Sequence, residues 1–476
     1  MGPGPYDWAM GSGGASTDRG AGGGRGPDIY AVLAGMILVA AVLTWWIPAG
    51  RYERTVLPNG RETVVSGSYQ EVERSPAGVR ELITAIPDGL TDAASVVFLV
   101  LLVGGSVGVI RRAGVMDLGI RRLIRLTRGR IGLLIPALMF AFAAISGVVG
   151  MQELSIAWLP IVAPLLASQG CGRRTILAVA LLGPSFGSAF GVTVPSTVGI
   201  GHQIAGLPMF SGASYRFAFF LLVQATAAWW VVRRARREIE ARPATPTPDQ
   251  APPRETDPPA PSQRPRAAGI AALALFGAFV FGVLLLRPGF EEISGAFLAI
   301  AVIVSLIAGH GVNRICASFN ESFREILVGA LVCGLARGVA VVMTEGQVMD
   351  TVVFWTARLV ESLPEGAAVL GILAGQAGFN FFVPSGSGQA LVTLPVLVPV
   401  GDLSGITRQV VVLATQWGDG MTNVVFPTSG YFMATLVLAG VRLGAWLRYV
   451  APLLLIVGGI AGVGLLLAQA ISLGPF

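Results

Sequence analysis

No lysine occurs in this chain of 476 residues; all 33 basic residues are arginine. A nucleotide loop with a lysine on the phosphates is therefore excluded, and ATP-driven pumping by a P-loop in this chain with it. A Schiff-base lysine is excluded as well. Histidine is scarce, with only His202 and His310. The three cysteines, Cys171, Cys316 and Cys333, have no metal-ligand spacing and read as small packing residues. No protein-bound metal or organic cofactor is expected. Residues 1–28 contain no apolar core of a signal peptide and read as a disordered, glycine-rich tail.

Charge is also sparse: 13% of residues are charged, against about 25% in a soluble protein. What fills the chain instead is apolar, at 53% of residues. Apolar stretches, free of charge but for Asp92 and Glu325 at the starts of two, recur at 29–48, 92–110, 131–152, 175–192, 217–232, 267–286, 294–309, 325–336, 366–401 and 449–476. Several reach the roughly 20 residues that a span requires. The fold class expected is an all-α, polytopic membrane protein.

Arginine placement orients it. Residues 111–130 hold seven arginines and one acid, Asp117; residues 233–266 hold eight arginines and five acids. Both are assigned to the cytoplasm, with 49–91 outside and the N-terminus inside. Within the second, 241–266 is proline-rich without apolar pattern and reads as a linker. It separates a first half, 29–232, from a second, 267–476.

The halves resemble each other. Val115-Met116-Asp117 matches Val348-Met349-Asp350 at an offset of 233. Leu159, Pro160, Pro164, Gly170, Arg173 and Gly183 match Leu394, Pro395, Pro399, Gly405, Arg408 and Gly418 at 235. After a small shift, Pro195-Ser196-Thr197 matches Pro427-Thr428-Ser429. Counting crossings puts the first Val-Met-Asp inside and the second outside. The expectation is an inverted repeat, the architecture of many secondary transporters. Segments 113–130 and 346–364 carry too much charge to cross and are expected as interfacial amphipathic helices.

The run 366–401 contains "VPSGSG" (383–388). As one helix its 36 residues would extend about 54 Å, against a hydrocarbon core of about 30 Å. One span plus half of a re-entrant hairpin fits better, with Ser385, Gly386, Ser387 and Gly388 at a mid-membrane tip. Irregular backbone at that depth is tolerated where it is buried in protein or lines a wet cavity. The bland alternative is a kink whose hydroxyls bond their own backbone. Three further breaks, at 147–155, 191–199 and 417–430, favour a shared site. Glu153 and Asp419 are acids in apolar surroundings, where ionisable groups are costly and functional. A span-end glutamate and a structural aspartate cap are the competing readings. Arg337 is either a substrate contact or a packed ion pair.

"FNFFVPSGSGQA", "GITRQ", "WGDGMTN" with "PTSG", and "IAGLPMFSG" (204–212) resemble the C4-dicarboxylate anaerobic carrier family, in its DcuC/YfcC-like branch, nearly throughout from Ile29 onward. The branch includes proteins described as basic amino-acid antiporters. The resemblance implies an elevator-type secondary transporter, with two hairpins, two broken helices and a homodimeric scaffold. It implies a solute and ion site formed by Glu153, Pro195, Ser196, Thr197, Asn380, Ser385, Gly386, Ser387, Gly388, Asp419, Thr422, Asn423, Pro427, Thr428 and Ser429. A coupling Na⁺ or H⁺ is implied, with Na⁺ near Ser387 and Asn423. The sequence departs from the family pattern at Val194 and Leu154, in the first-half site.

The function expected is secondary transport of a small carboxylate-bearing solute, a C4-dicarboxylate or an amino acid such as arginine or ornithine, across the bacterial inner membrane. A channel on the same repeat is the alternative. An intramembrane hydrolase fits poorly. Its serine form needs a base in reach, and its aspartyl form needs a second aspartate within a span. The partners expected are the solute, the bilayer and a second copy, without nucleic acid.

Overall fold

The computed structural model describes residues 29–56, 62–114, 130–209, 211–241, 264–286 and 289–474. The tail 1–28, linker residues 242–263 and the arginine-rich segment 115–129, including Val115-Met116-Asp117, lie outside the described residues.

α1 (Ile29–Trp46) leads into four short strands, β1 (Gly50–Arg51), β2 (Arg54–Val56), β3 (Glu62–Val64) and β4 (Gln70–Glu71), then α2 (Val79–Asp92) and α3 (Ala94–Arg112). Next come α4 (Ile131–Val149), α5 (Leu154–Ser168), α6 (Arg173–Ala189), a π turn (Pro195–Gly199), α7 (Ile200–Ala205) and α8 (Ala213–Glu240). The second stretch holds α9 (Pro265–Leu286), α10 (Phe290–Ile307), α11 (Val312–Glu345), α12 (Met349–Glu361) and α13 (Glu365–Phe379). It ends with α14 (Gly386–Leu403), α15 (Arg408–Thr422), α16 (Gly430–Leu438) and α17 (Leu443–Ala470). Among the described residues seven helices, α1, α3, α4, α8, α10, α11 and α17, are long and apolar enough to cross a membrane. The fold is an all-α polytopic one.

The run 366–401 differs from the expectation of a span plus half a hairpin. It forms two helices of 15 and 18 residues, α13 and α14, joined through 380–385. The reason is Pro384, which forces the residue before it out of the helical region. Each arm is about 22–27 Å long, so neither spans the core fully alone. The helix expected at 346–364 is α12. It buries Val353, Ala357 and Val360 and exposes Trp355 and Leu359.

The helices pack in two groups. In the first, α2 and α3 run along α11, α10 packs on α3, and α1 on α11. Arg111 and Arg112 of α3 bind Glu325 of α11 at 3.0 and 2.7 Å. Arg337 pairs with Asp92 of α2 and is about one-third exposed, at 32%. It is a packed ion pair of this group and not part of a solute site. In the second group, α4 and α5 pack on α6, α13 and α14 on α15, and α6 crosses α15. Long α8 and α17 lie against these broken helices.

The strands form two antiparallel ribbons, β1 with β4 and β2 with β3. Asp350 of α12 ties them down, accepting from the Tyr52 N–H at 2.9 Å and pairing with Arg54 at 3.2 Å. Burial and the Asp350 carboxylate push the Tyr52 phenol well above its ordinary value. Thr63 Oγ1 donates to the Leu391 carbonyl of α14 at 2.8 Å.

Candidate solute and ion site

The break between α13 and α14 is held by side chains. Ser385 is extended (φ −149°, ψ 105°) and caps α14, its Oγ accepting from the Gly388 N–H at 3.4 Å. Part of the bland reading therefore holds: this hydroxyl serves its own helix. Ser387 is half-buried in the first turn of α14. The buried Asn380 amide donates to the Asp419 carbonyl at 2.9 Å, Thr422 Oγ1 at 2.9 Å and Asn423 Oδ1 at 3.2 Å. It ties this tip to the end of α15. The arms are bridged by Gln389 Nε2, which donates to Gln376 Oε1 at 2.5 Å.

The other tip, between α4 and α5, turns at Gly150 (φ 80°), a left-handed position suited to glycine. Ser146 Oγ supports the turn, donating to the Met151 carbonyl at 2.9 Å. Glu153 stands at the cap of α5 but makes no side-chain cap bond there. α6 stops at Ala189, and the chain resumes at Pro195 in the π turn. Proline without an N–H suits that first position.

Both tips meet this first break. A Cβ at Gly150 would lie 2.9 Å from Val194 Cγ1 and 3.1 Å from Ser196 Oγ. A Cβ at Gly386 would lie 2.6 Å from Thr197 Cγ2 and 2.9 Å from Asp419 Oδ2. The broken helices touch too, since a Cβ at Gly420 would lie 2.4 Å from Ala189 Cβ. Pro195, Ser196, Thr197, Asn380, Ser385, Gly386, Asp419, Thr422 and Asn423 thus form one cluster, with Ser387 and Gly388 at its rim. Asp419 is buried, its Oδ1 has no hydrogen-bond partner, and no arginine pairs with it among the described residues. Thr197 Oγ1 is likewise buried without a partner.

Glu153 and the second break, Pro427, Thr428 and Ser429, lie to one side. Gly430 packs on α11, with Cys333 Sγ donating to its carbonyl at 3.4 Å. Tyr431 links the two places. Its hydroxyl donates to Gln152 Oε1 at 2.5 Å and shares a bond with Ser185 Oγ at 3.2 Å. Sequence reasoning missed Tyr431, Gln152 and Gln376, and it missed Gln416 and buried Arg216 beside the first break. Arg216 had a signal: it is the sole charge in "ASYRFAFFLLVQATAAWW" (213–230).

Residues 27–470 match the sequence family described as DcuC, C4-dicarboxylate anaerobic carrier. The chain belongs to this family. A relative in Escherichia coli (strain K12), named "Putative basic amino acid antiporter YfcC", is 30% identical over 90% of this chain and 93% of its own length. An uncharacterized protein of Haemophilus influenzae is 26% identical over 91% of this chain and 96% of its own. The solved YdaH transporter of Alcanivorax borkumensis is 17% identical, with a TM-score of 0.44, covering 94% of this chain and 99% of that one. The family identifies the chain as a multi-pass membrane carrier, a secondary transporter and not an enzyme.

Proposed function

We propose that this carrier moves a basic amino acid across the cytoplasmic membrane by alternating access. The observation that carries the proposal is Asp419, a buried carboxylate with an unpartnered oxygen and no arginine, touching one hairpin tip and facing the opposite break. A buried charge costs several kcal/mol unless it is paired. The cationic end of an arginine- or ornithine-like solute supplies that pair, and a coupling Na⁺ or H⁺ takes its place between solutes. A C4-dicarboxylate would bring two negative charges to a site that already holds Asp419. The solute carboxylate is assigned to Ser387 and the N–H groups at the start of α14, where the helix dipole favours an anion. The basic amino acid antiporter name of the Escherichia coli relative points the same way.

The two stretches are read as inverted repeats, with the N-terminus cytoplasmic. Their element order supports this: a hairpin (α4–α5; α13–α14), a broken helix (α6–α7; α15–α16) and a 28-residue closing helix (α8; α17). The closing helices also cap the broken ones in the same manner. Glu238 accepts from the Gly172 N–H at 3.1 Å, and Gln469 accepts from the Thr407 N–H at 3.2 Å. The first packed group is assigned as the scaffold of a homodimer and the second as the moving unit.

The test is uptake into proteoliposomes of arginine, ornithine, succinate and fumarate under imposed Na⁺ or H⁺ gradients. Saturable uptake of arginine or ornithine, competed by the other, is expected. Succinate or fumarate flux without basic amino-acid flux would overturn the proposal.

A further inference from the structure

The first break contains a polar pair that the site above does not use. Gln416 is buried on α15, one turn before Asp419. Its Nε2 donates to the Gly191 carbonyl at 2.8 Å and to the Ser188 carbonyl at 3.3 Å. The Ser188 oxygen belongs to the last turn of α6, where it also accepts from the Gly191 N–H at 3.3 Å, and the Gly191 oxygen lies just past the helix end. On the other side, the Arg216 guanidinium of α8 donates to Gln416 Oε1. The amide orientation follows from its neighbours: an arginine only donates and a carbonyl only accepts, so the oxygen faces Arg216 and the NH₂ faces the carbonyls.

Arg216 is fully buried and has no carboxylate partner among the described residues. Its Nε and Nη2 make no hydrogen bond. A buried, unpaired guanidinium is expensive to keep and also repels any other cation placed beside it. Converging carbonyls at a helix break are the ligands a hard cation takes in unwound transporter helices. Here two N–H groups already occupy those two oxygens, with a fixed positive charge behind them.

We propose that Gln416, oriented by Arg216, is a resident substitute for a cation at the first break, so that this half of the site binds no coupling ion. Any coupling ion is then confined to the Asp419 side. Gln416 and Arg216 are positioning residues, since neither touches the proposed solute. The inference extends the site reading above, and its test uses Na⁺ alone without solute, so the two stand or fall separately.

The experiment is equilibrium binding of ²²Na⁺ to the purified full-length protein in detergent, counted per chain, for wild type and Gln416→Glu at pH 8–9. The glutamate keeps size, neutralises Arg216 and replaces the NH₂ with an oxygen facing two carbonyls. That creates a three-oxygen cage. Wild type is expected to bind no more than one Na⁺ per chain, and Gln416→Glu one more than wild type. Two saturable Na⁺ per wild-type chain would overturn the proposal with no variant needed. Equal counts in wild type and a monodisperse, folded Gln416→Glu protein would overturn it as well. Should that variant fail to fold, Arg216→Gln, which removes the repelling charge and frees the amide to turn, is held to the same gain of one.

Discussion

Gly386 is the position where a single methyl group interrogates the site. It opens α14 at the hairpin tip, and its backbone does not demand glycine, since φ is not positive there. Alanine favours a helix over glycine by about 1 kcal/mol, so local propensity alone would make Gly386→Ala neutral or stabilising. The contacts argue the other way. The added Cβ would stand 2.6 Å from Thr197 Cγ2 and 2.9 Å from Asp419 Oδ2, both closer than side chains approach. Overpacking of this kind costs about 1–3 kcal/mol. Because the strain falls between the tip and the first break, most of it should appear as lost solute affinity, about five- to a hundredfold. Thr197→Ser removes the methyl responsible for the closer contact and leaves the Asp419 contact in place. The double variant should therefore recover part of the loss, with a coupling energy of about 0.5–3 kcal/mol. The assay is arginine binding to purified protein, with thermal melting as a check on folding. Affinity within about threefold of wild type for Gly386→Ala, or no rescue by Thr197→Ser, would refute the packing of tip against break.

Asn380→Ala removes a donor shared by the Asp419 carbonyl, Thr422 and Asn423, and should cost about 1–3 kcal/mol, read as weaker solute binding by calorimetry. Ser387→Ala and Asn423→Ala should each weaken binding of solute or ion and combine non-additively. Ser106→Ala, whose hydroxyl bonds only its own helix at the Leu102 carbonyl, should leave binding unchanged. With Cys171, Cys316 and Cys333 replaced, a cysteine at Thr247 should react with impermeant maleimide only from the cytoplasm and one at Glu291 only from outside; labelling of both from one face contradicts the inverted repeat. Shortening the linker 241–266 by several residues should leave transport rates nearly unchanged, because loop-closure entropy varies slowly with length.

The composition and the proline-glycine breaks made the membrane fold legible. A charge-free run too long for one span, with Pro384 inside it, has to break, and residues 383–388 flank the tip that results. Asp419 was legible for the same reason, as an acid amid apolar residues. The partners were not. Thr197 faces Gly386 across 189 residues of chain, a proximity set by packing of two hairpins that no local pattern encodes. Tyr431 and Gln416 read as ordinary helix residues, and their importance comes only from what they donate to. Arg337 and Arg216 show the limit clearly. Both interrupt apolar runs, yet one is paired with Asp92 of α2 and the other is sealed behind Gln416. Periodicity does not distinguish a partly exposed ion pair from a buried guanidinium.

Asp419 is assigned as the partner of a cationic solute, and the most direct measurement is equilibrium binding of arginine and of succinate to purified wild-type and Asp419→Asn protein. Wild type should bind arginine and not succinate. Asparagine preserves shape and removes the charge, so a charge-assisted contact worth about 2–5 kcal/mol is lost, and arginine affinity should fall roughly thirtyfold or more. Succinate binding by wild type in place of arginine, or arginine affinity in Asp419→Asn within about threefold of wild type, would contradict it.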